Sequence, residues 1–147
     1  MIPDFIAEVQ ITYSSYVKAS DRLQIKGSKS AADALRSIMP SLEHIEYTYM
    51  LLLNRAHFIL GSHQLAKGGM CGTMMDPRVI FQVALKCAAT SIVLAHNHPS
   101  GNLEPSDSDK KVTRQIKSAG EFLEINLVDH LILTADGFFS FADEGLI

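Results

Sequence analysis

A short apolar run that ends in two histidines one residue apart restricts the folding of this chain more than any other feature. Ser91-Ile92-Val93-Leu94-Ala95 is followed at once by His96-Asn97-His98-Pro99-Ser100-Gly101, with Ser106 and Asp109 just beyond. The run carries two β-branched residues and is short, so residues 91–95 read as a buried strand. On extended backbone, residues i and i+2 share a side, so His96 and His98 face together off the strand end. Pro99, Gly101 and Pro105 then break regular structure. From Ser106 onward the chain reads as a helix, with Val112 and Ile116 on one face and charges around them. Asp109 falls in its first turn, where the helix dipole favours an anion. The fold therefore has to bring a strand C-terminus to a helix N-terminus.

Two histidines and an aspartate at that junction make a three-ligand set for a divalent cation. Three protein ligands leave one tetrahedral corner open, which separates catalytic zinc sites from structural ones. An open corner implies a water activated on the metal. Ser106-x-x-Asp109 is also close to a capping box, in which the serine caps the helix and the acidic residue reaches back. Both readings stand for that pair. Two same-facing histidines beside a carboxylate serve no packing purpose, and the combination favours the metal.

His96-x-His98-Pro99, six further residues and Ser106-x-x-Asp109 resemble the signature of the JAMM/MPN metalloprotease superfamily. The string His96-Asn97-His98-Pro99-Ser100-Gly101 with Glu104-Pro105-Ser106 is similar to its bacterial RadC-like branch. Leu51-Leu52-Leu53-Asn54-Arg55-Ala56, Gly68-Gly69, Leu127-Val128-Asp129-His130-Leu131-Ile132-Leu133 and the stretch from Ser140 to Leu146 extend the likeness. The resemblance implies Zn2+ held by His96, His98 and Asp109, with water as the fourth ligand. It implies that Ser106 orients that water or the developing oxyanion. It implies a glutamate general base on an earlier strand, where Glu46 occupies the matching position and Glu43 is the second choice. The implied activity is a zinc-dependent hydrolase, a metallopeptidase or isopeptidase acting on a peptide or isopeptide bond. The alternatives are a DNA-repair-associated module and a metal-dependent nuclease. Many RadC-like relatives carry a helix-hairpin-helix region before this domain; about forty residues precede the motif core here, and no such region is evident in them.

At 147 residues, one domain is expected over residues 1–147, with the motif core at about 40–147 and residues 1–39 as an N-terminal strand and helix extension. A chain of this length buries roughly two-thirds of its unfolded surface. A net charge of −3 gives no global case for nucleic acid, and only weak DNA association is expected. Lys110, Arg114 and Lys117 form one modest basic stripe, by default a solvated helix face. Cys71 and Cys87 form neither a disulfide framework nor a close-spaced ligand pair. They are expected to be reduced, with Cys87 in the core. A zinc nucleoside deaminase needs a Pro-Cys-x-x-Cys segment that these cysteines do not supply. The N-terminus lacks the pattern of a signal peptide, and no apolar run is long enough for a membrane span. A cytoplasmic location is the expectation.

The remaining pattern predicts strands over residues 8–13, 46–53, 58–65, 127–134 and 138–141. Residues 30–39 read as a short helix capped by Ser30 and stopped by Pro40. Asp76-Pro77 opens a helix over residues 77–89, with Val79, Ile80, Val83, Ala84 and Cys87 on its buried face. Gly120 is expected to interrupt or end the last helix. Met70, Met74 and Met75 read as gap-fillers in a core or interface. His130, after Asp129 in a strand, reads as a satisfied buried histidine or as the partner of a metal-bound one. Alternating strands and helices with antiparallel hairpins imply an α/β fold, a mixed sheet sandwiched by helices. That agrees with the three-layer, cytidine-deaminase-like architecture the resemblance implies.

Overall fold

The computed structural model describes residues 5–68 and 75–147. Among these residues, five strands form one mixed sheet: β1 (Tyr47–Leu53), β2 (Ile59–Lys67), β3 (Ser91–Asn97), β4 (Asn126–Leu133) and β5 (Phe138–Ser140). Their spatial order is β2-β1-β3-β4-β5. β3 and β4 run parallel, and the other neighbours are antiparallel. Among the described residues, three α-helices accompany the sheet: α1 (Ser28–Ile38), α2 (Pro77–Lys86) and α3 (Asp107–Leu123). α3 is the crossover that the parallel β3–β4 pair requires.

Alternation along the central strands divides the core into two layers. Tyr49, Leu51, Leu53, Val93 and Ala95 pack on Ala31, Ala32 and Leu35 of α1. Met50, Leu52, Ile92 and Leu94 face the other way, onto Ile80 and Ala84 of α2 and Ile116 of α3. All seven residues of β1 and all seven of β3 are buried, as expected for strands covered on both faces. This is the mixed sheet between helices that the sequence predicts.

One irregularity matters for the site. Ile92 pairs with Leu127, but Val93 pairs with Asp129, so Val128 is an extra residue. Such a bulge reverses which face each later side chain meets. Leu127 belongs to the α2/α3 layer, whereas Leu131 and Leu133 belong to the α1 layer. His130 is thereby turned onto the same face as His96.

Several elements differ from their sequence reading. Residues 8–13 form no strand and are exposed throughout; their alternation is real, but among the described residues no strand pairs with them to build a ladder. α1 starts at Ser28, and Ser30 sits in its first turn, accepting from the N–H groups of Lys26 and Gly27. α2 ends at Lys86; Ile80, Phe81 and Ala84 are its buried residues, while Val83 and Cys87 are half-buried at the layer's edge. Asp76 caps α2 as expected, accepting from Arg78 N at 2.9 Å.

α3 runs through Gly120 rather than stopping there. A Cβ on Gly120 would lie 2.3 Å from the Ile125 carbonyl oxygen, so the glycine marks close approach of the chain returning toward β4. Met75 packs in the α2/α3 layer. Met70, Cys71, Met74 and Gly69 lie outside the described residues. Among the described residues, no helix is long and apolar enough to cross a membrane.

Candidate metal centre

β3 continues through His96, which is fully buried, and Asn97, before the chain leaves the sheet at His98. Gly101 adopts φ +84°, a left-handed conformation that favours glycine. The loop closes there, with the Gly101 N–H donating to the His98 carbonyl at 3.0 Å. The same loop brings the Asn102 carbonyl to 2.7 Å from His98 Nδ1. A carbonyl can only accept, so His98 Nδ1 carries the proton and Nε2 keeps its lone pair when the ring is neutral.

His96 is fixed from the opposite side by groups remote in sequence. Its Nδ1 lies 2.8 Å from His130 Nε2, and His130 Nδ1 lies 2.7 Å from Thr113 Oγ1. Thr113 donates its single hydroxyl proton to the Asp109 carbonyl at 2.6 Å. Thr113 Oγ1 must then accept from His130 Nδ1–H, which leaves His130 Nε2 as the acceptor for His96 Nδ1–H. His96 Nε2 is thus left with its lone pair facing inward.

Asp109 enters from the first turn of α3. Its Oδ2 accepts from Ser106 N at 2.9 Å, and Ser106 Oγ accepts from Asp109 N at 3.0 Å. The capping box is therefore formed, and the same Oδ2 faces both histidines. It lies 3.5 Å from His96 Nε2 and 3.7 Å from His98 Nε2, and the two Nε2 atoms are 3.0 Å apart. The geometry leaves room for both sequence readings of Ser106 and Asp109, because the carboxylate oxygen that completes the cap also faces the two histidines.

The donor set fits a metal. Two imidazole lone pairs and a carboxylate oxygen converge with the histidine protons directed away from the centre. Ligands at about 2.1 Å from one tetrahedral ion are about 3.4 Å apart, and the three separations here bracket that distance. His96, His98 and Asp109 form a group able to hold a metal ion.

The electrostatics agree with crowding around one point. Burial works to raise the Asp109 pKa, but its bonds with His96 and His98 outweigh it and hold the carboxyl well below its ordinary range. The Asp109 bond raises His98. Full burial holds His130 well below the usual histidine value, so it sits as a neutral ring stacked 4.6 Å from Phe141. Asp129 braces this arrangement, accepting from His130 N at 2.8 Å, Ser140 Oγ at 2.6 Å and Ala142 N at 3.0 Å.

Glu46 stands immediately before β1, whose Thr48 pairs with His96, and its charge acts on His98. Glu43 is exposed in the preceding loop. Lys110, Arg114 and Lys117 follow Asp109 along α3 and stay at least partly exposed, with Lys117 paired to Glu121 at 4.0 Å. Sequence reasoning missed Thr113, although its position four residues after Asp109 puts both on one helix face.

A family model for the RadC-like JAB domain matches residues 25–146. The chain belongs to the RadC-like JAB domain family. The match covers α1 and all five strands. A UPF0758 protein of Flavobacterium johnsoniae is 42% identical over 132 residues, covering 88% of this chain and 57% of the relative. A UPF0758 protein of Porphyromonas gingivalis is 43% identical over 117 residues, covering 78% and 52%. One of Chlorobaculum parvum is 37% identical over 124 residues, covering 84% and 55%. The chain thus spans little more than half the length of these curated relatives, whose names carry no activity.

Proposed function

We propose that this RadC-like JAB domain is a zinc-dependent hydrolase of peptide or isopeptide bonds. The convergence of two outward-locked histidine tautomers and one carboxylate carries that reading. His96, His98 and Asp109 would hold the metal. When bound, zinc with an open position lowers the pKa of a coordinated water toward neutrality and polarises a carbonyl.

The protein's own residues have distinct tasks around it. Glu46 accepts the proton of the attacking water and later passes it to the leaving amine. Ser106 already accepts from Asp109 N, and its O–H remains a donor for the oxygen that gains charge in the tetrahedral step. His130 and Thr113 keep the His96 lone pair directed at the metal position.

Metal content and hydrolysis test the proposal together. Zinc-reconstituted protein should bind one zinc per chain and cleave a lysine-ε-amide isopeptide or peptide reporter, with activity lost to chelator and restored by zinc. His98→Ala should lose most of the metal, because two protein ligands seldom hold zinc tightly. Glu46→Gln should keep the metal and lose hydrolysis by about a hundredfold or more, while Glu43→Gln stays active. Chelator-resistant hydrolysis, or an inactive Glu43 variant beside an active Glu46 variant, would overturn the assignment.

A further inference from the structure

Asn97 lies between the two histidines and faces away from them. It is fully buried, and its side chain bonds to no residue of the candidate centre. Its amide instead grips the irregular segment that precedes β1. Asn97 Nδ2 donates to the carbonyls of Leu42 at 3.1 Å and Ile45 at 2.9 Å, and Oδ1 accepts from Tyr47 N at 2.7 Å. The Glu46 carbonyl accepts from Gly68 N at 2.8 Å. Both peptide units that flank the Glu46 Cα are therefore tied down, and Asn97 holds each of them.

We propose that Asn97 is a positioning residue that sets where the Glu46 carboxylate stands relative to His96 and His98. The inference rests on the reading of Glu46 as the base. The histidines and Asn97 share three consecutive residues of one chain, so a displacement of the ligand pair carries the base-bearing segment with it. Only an amide supplies this grip: it offers two donors to two carbonyls and one acceptor to an N–H. Aspartate keeps the acceptor for Tyr47 N but turns an oxygen toward the Leu42 and Ile45 carbonyls. Serine is too short to reach all three. A residue of merely structural value would lower stability without any preference for Glu46.

The test combines amide exchange with a mutant cycle on the full chain. In metal-free protein, Asn97→Ser should speed amide exchange across residues 43–47 by about tenfold or more, with β3 and β4 still protected. Zinc-loaded Asn97→Ser should retain one zinc per chain. On the isopeptide reporter, kcat should fall by about tenfold or more with KM nearly unchanged. In the Glu46→Gln background the same substitution should cost no further kcat, because the two residues act through one carboxylate. Unchanged exchange at residues 43–47, or an additive kcat loss in that background, would overturn the proposal. If Asn97→Ser fails to fold, Asn97→Asp carries the same measurements. If wild-type protein cleaves no reporter, the hydrolase reading fails, and the exchange arm still decides whether Asn97 holds the segment.

Discussion

His130 Nε2 stands 2.8 Å from His96 Nδ1, on the side of the His96 ring opposite Asp109. A buried histidine thus occupies the place that a carboxylate or carbonyl often takes behind a metal-bound imidazole. His130 can accept there only because Thr113 supplies the other end of the proton chain and the Val128 bulge turns the ring inward.

The first prediction follows from that chain. Thr113→Val removes the acceptor for His130 Nδ1–H and leaves a buried donor unsatisfied. The other His130 tautomer would then place a proton against His96 Nδ1–H. Zinc affinity, measured by competition with a chromophoric chelator, should weaken by about tenfold to a hundredfold. Thr113→Ser keeps the hydroxyl and should restore most of it. Equal affinities in all three proteins would show that the tautomer is set elsewhere.

The second concerns stability against pH in chelator-treated protein. Burial depresses the His130 pKa well below 6.5, so its contribution is present above that value. As pH falls below 6.5, the unfolded chain takes up a proton that the folded ring refuses. Stability then drops by at most about 1.4 kcal/mol per pH unit from this residue. His98 has the opposite sign: Asp109 raises its pKa, so its contribution is present below 6.5 and is lost as pH rises through the raised value. Asp129 also works against the acid loss, because burial raises its pKa and its cost is relieved on acidification. Urea unfolding of wild type and His130→Phe at pH 6.5 and 5.5 isolates the first effect. The variant should lose less stability over that interval; parallel losses would contradict a neutral buried His130.

Legibility in the sequence depended on how local each feature is. His96, His98 and Asp109 could be brought together from strand alternation and a helix start alone, because fourteen consecutive residues contain all three. The central strands and α2 were legible from apolar runs and the Asp76-Pro77 start. The orientation of His130 was not, since one unpaired residue at Val128 decides its face and no local pattern marks that bulge. Residues 8–13 show the converse case, a correct alternation with no ladder to join. Gly120 reads as a helix stop in the sequence because the reason for it, the Ile125 carbonyl, becomes visible only when the chain folds back.

Gly120 gives the third prediction. Gly120→Ala gains about 1 kcal/mol of helix propensity, but its Cβ would meet backbone oxygen at 2.3 Å and a Phe81 ring carbon at 3.5 Å. Backbone cannot yield as a side-chain tip can, so the clash should dominate. Net destabilisation of about 2 kcal/mol, within the range for overpacked sites, should appear as a lower denaturation midpoint with an unchanged slope. A stabilised variant would mean that the α3–β4 connection relaxes freely.

The fourth prediction separates hydrolysis of peptide bonds from action on DNA. The chain carries a net charge of −3. Its basic stripe on α3 is also weakened by the pairing of Lys117 with Glu121. Few phosphate contacts are then available, and each contributes a slope of only about −0.9 in the logarithmic salt dependence. Titration of duplex DNA at two salt concentrations should show weak binding, a shallow slope and no sequence preference. Lys110→Glu with Arg114→Glu should abolish what binding remains while leaving isopeptide cleavage intact, because Arg114 is exposed and Lys110 at least partly so, and neither belongs to the ligand set. Submicromolar binding at physiological salt would move the nuclease and repair-module readings ahead of the peptidase one, and loss of cleavage in the doubly substituted protein would show that the stripe takes part in peptide hydrolysis.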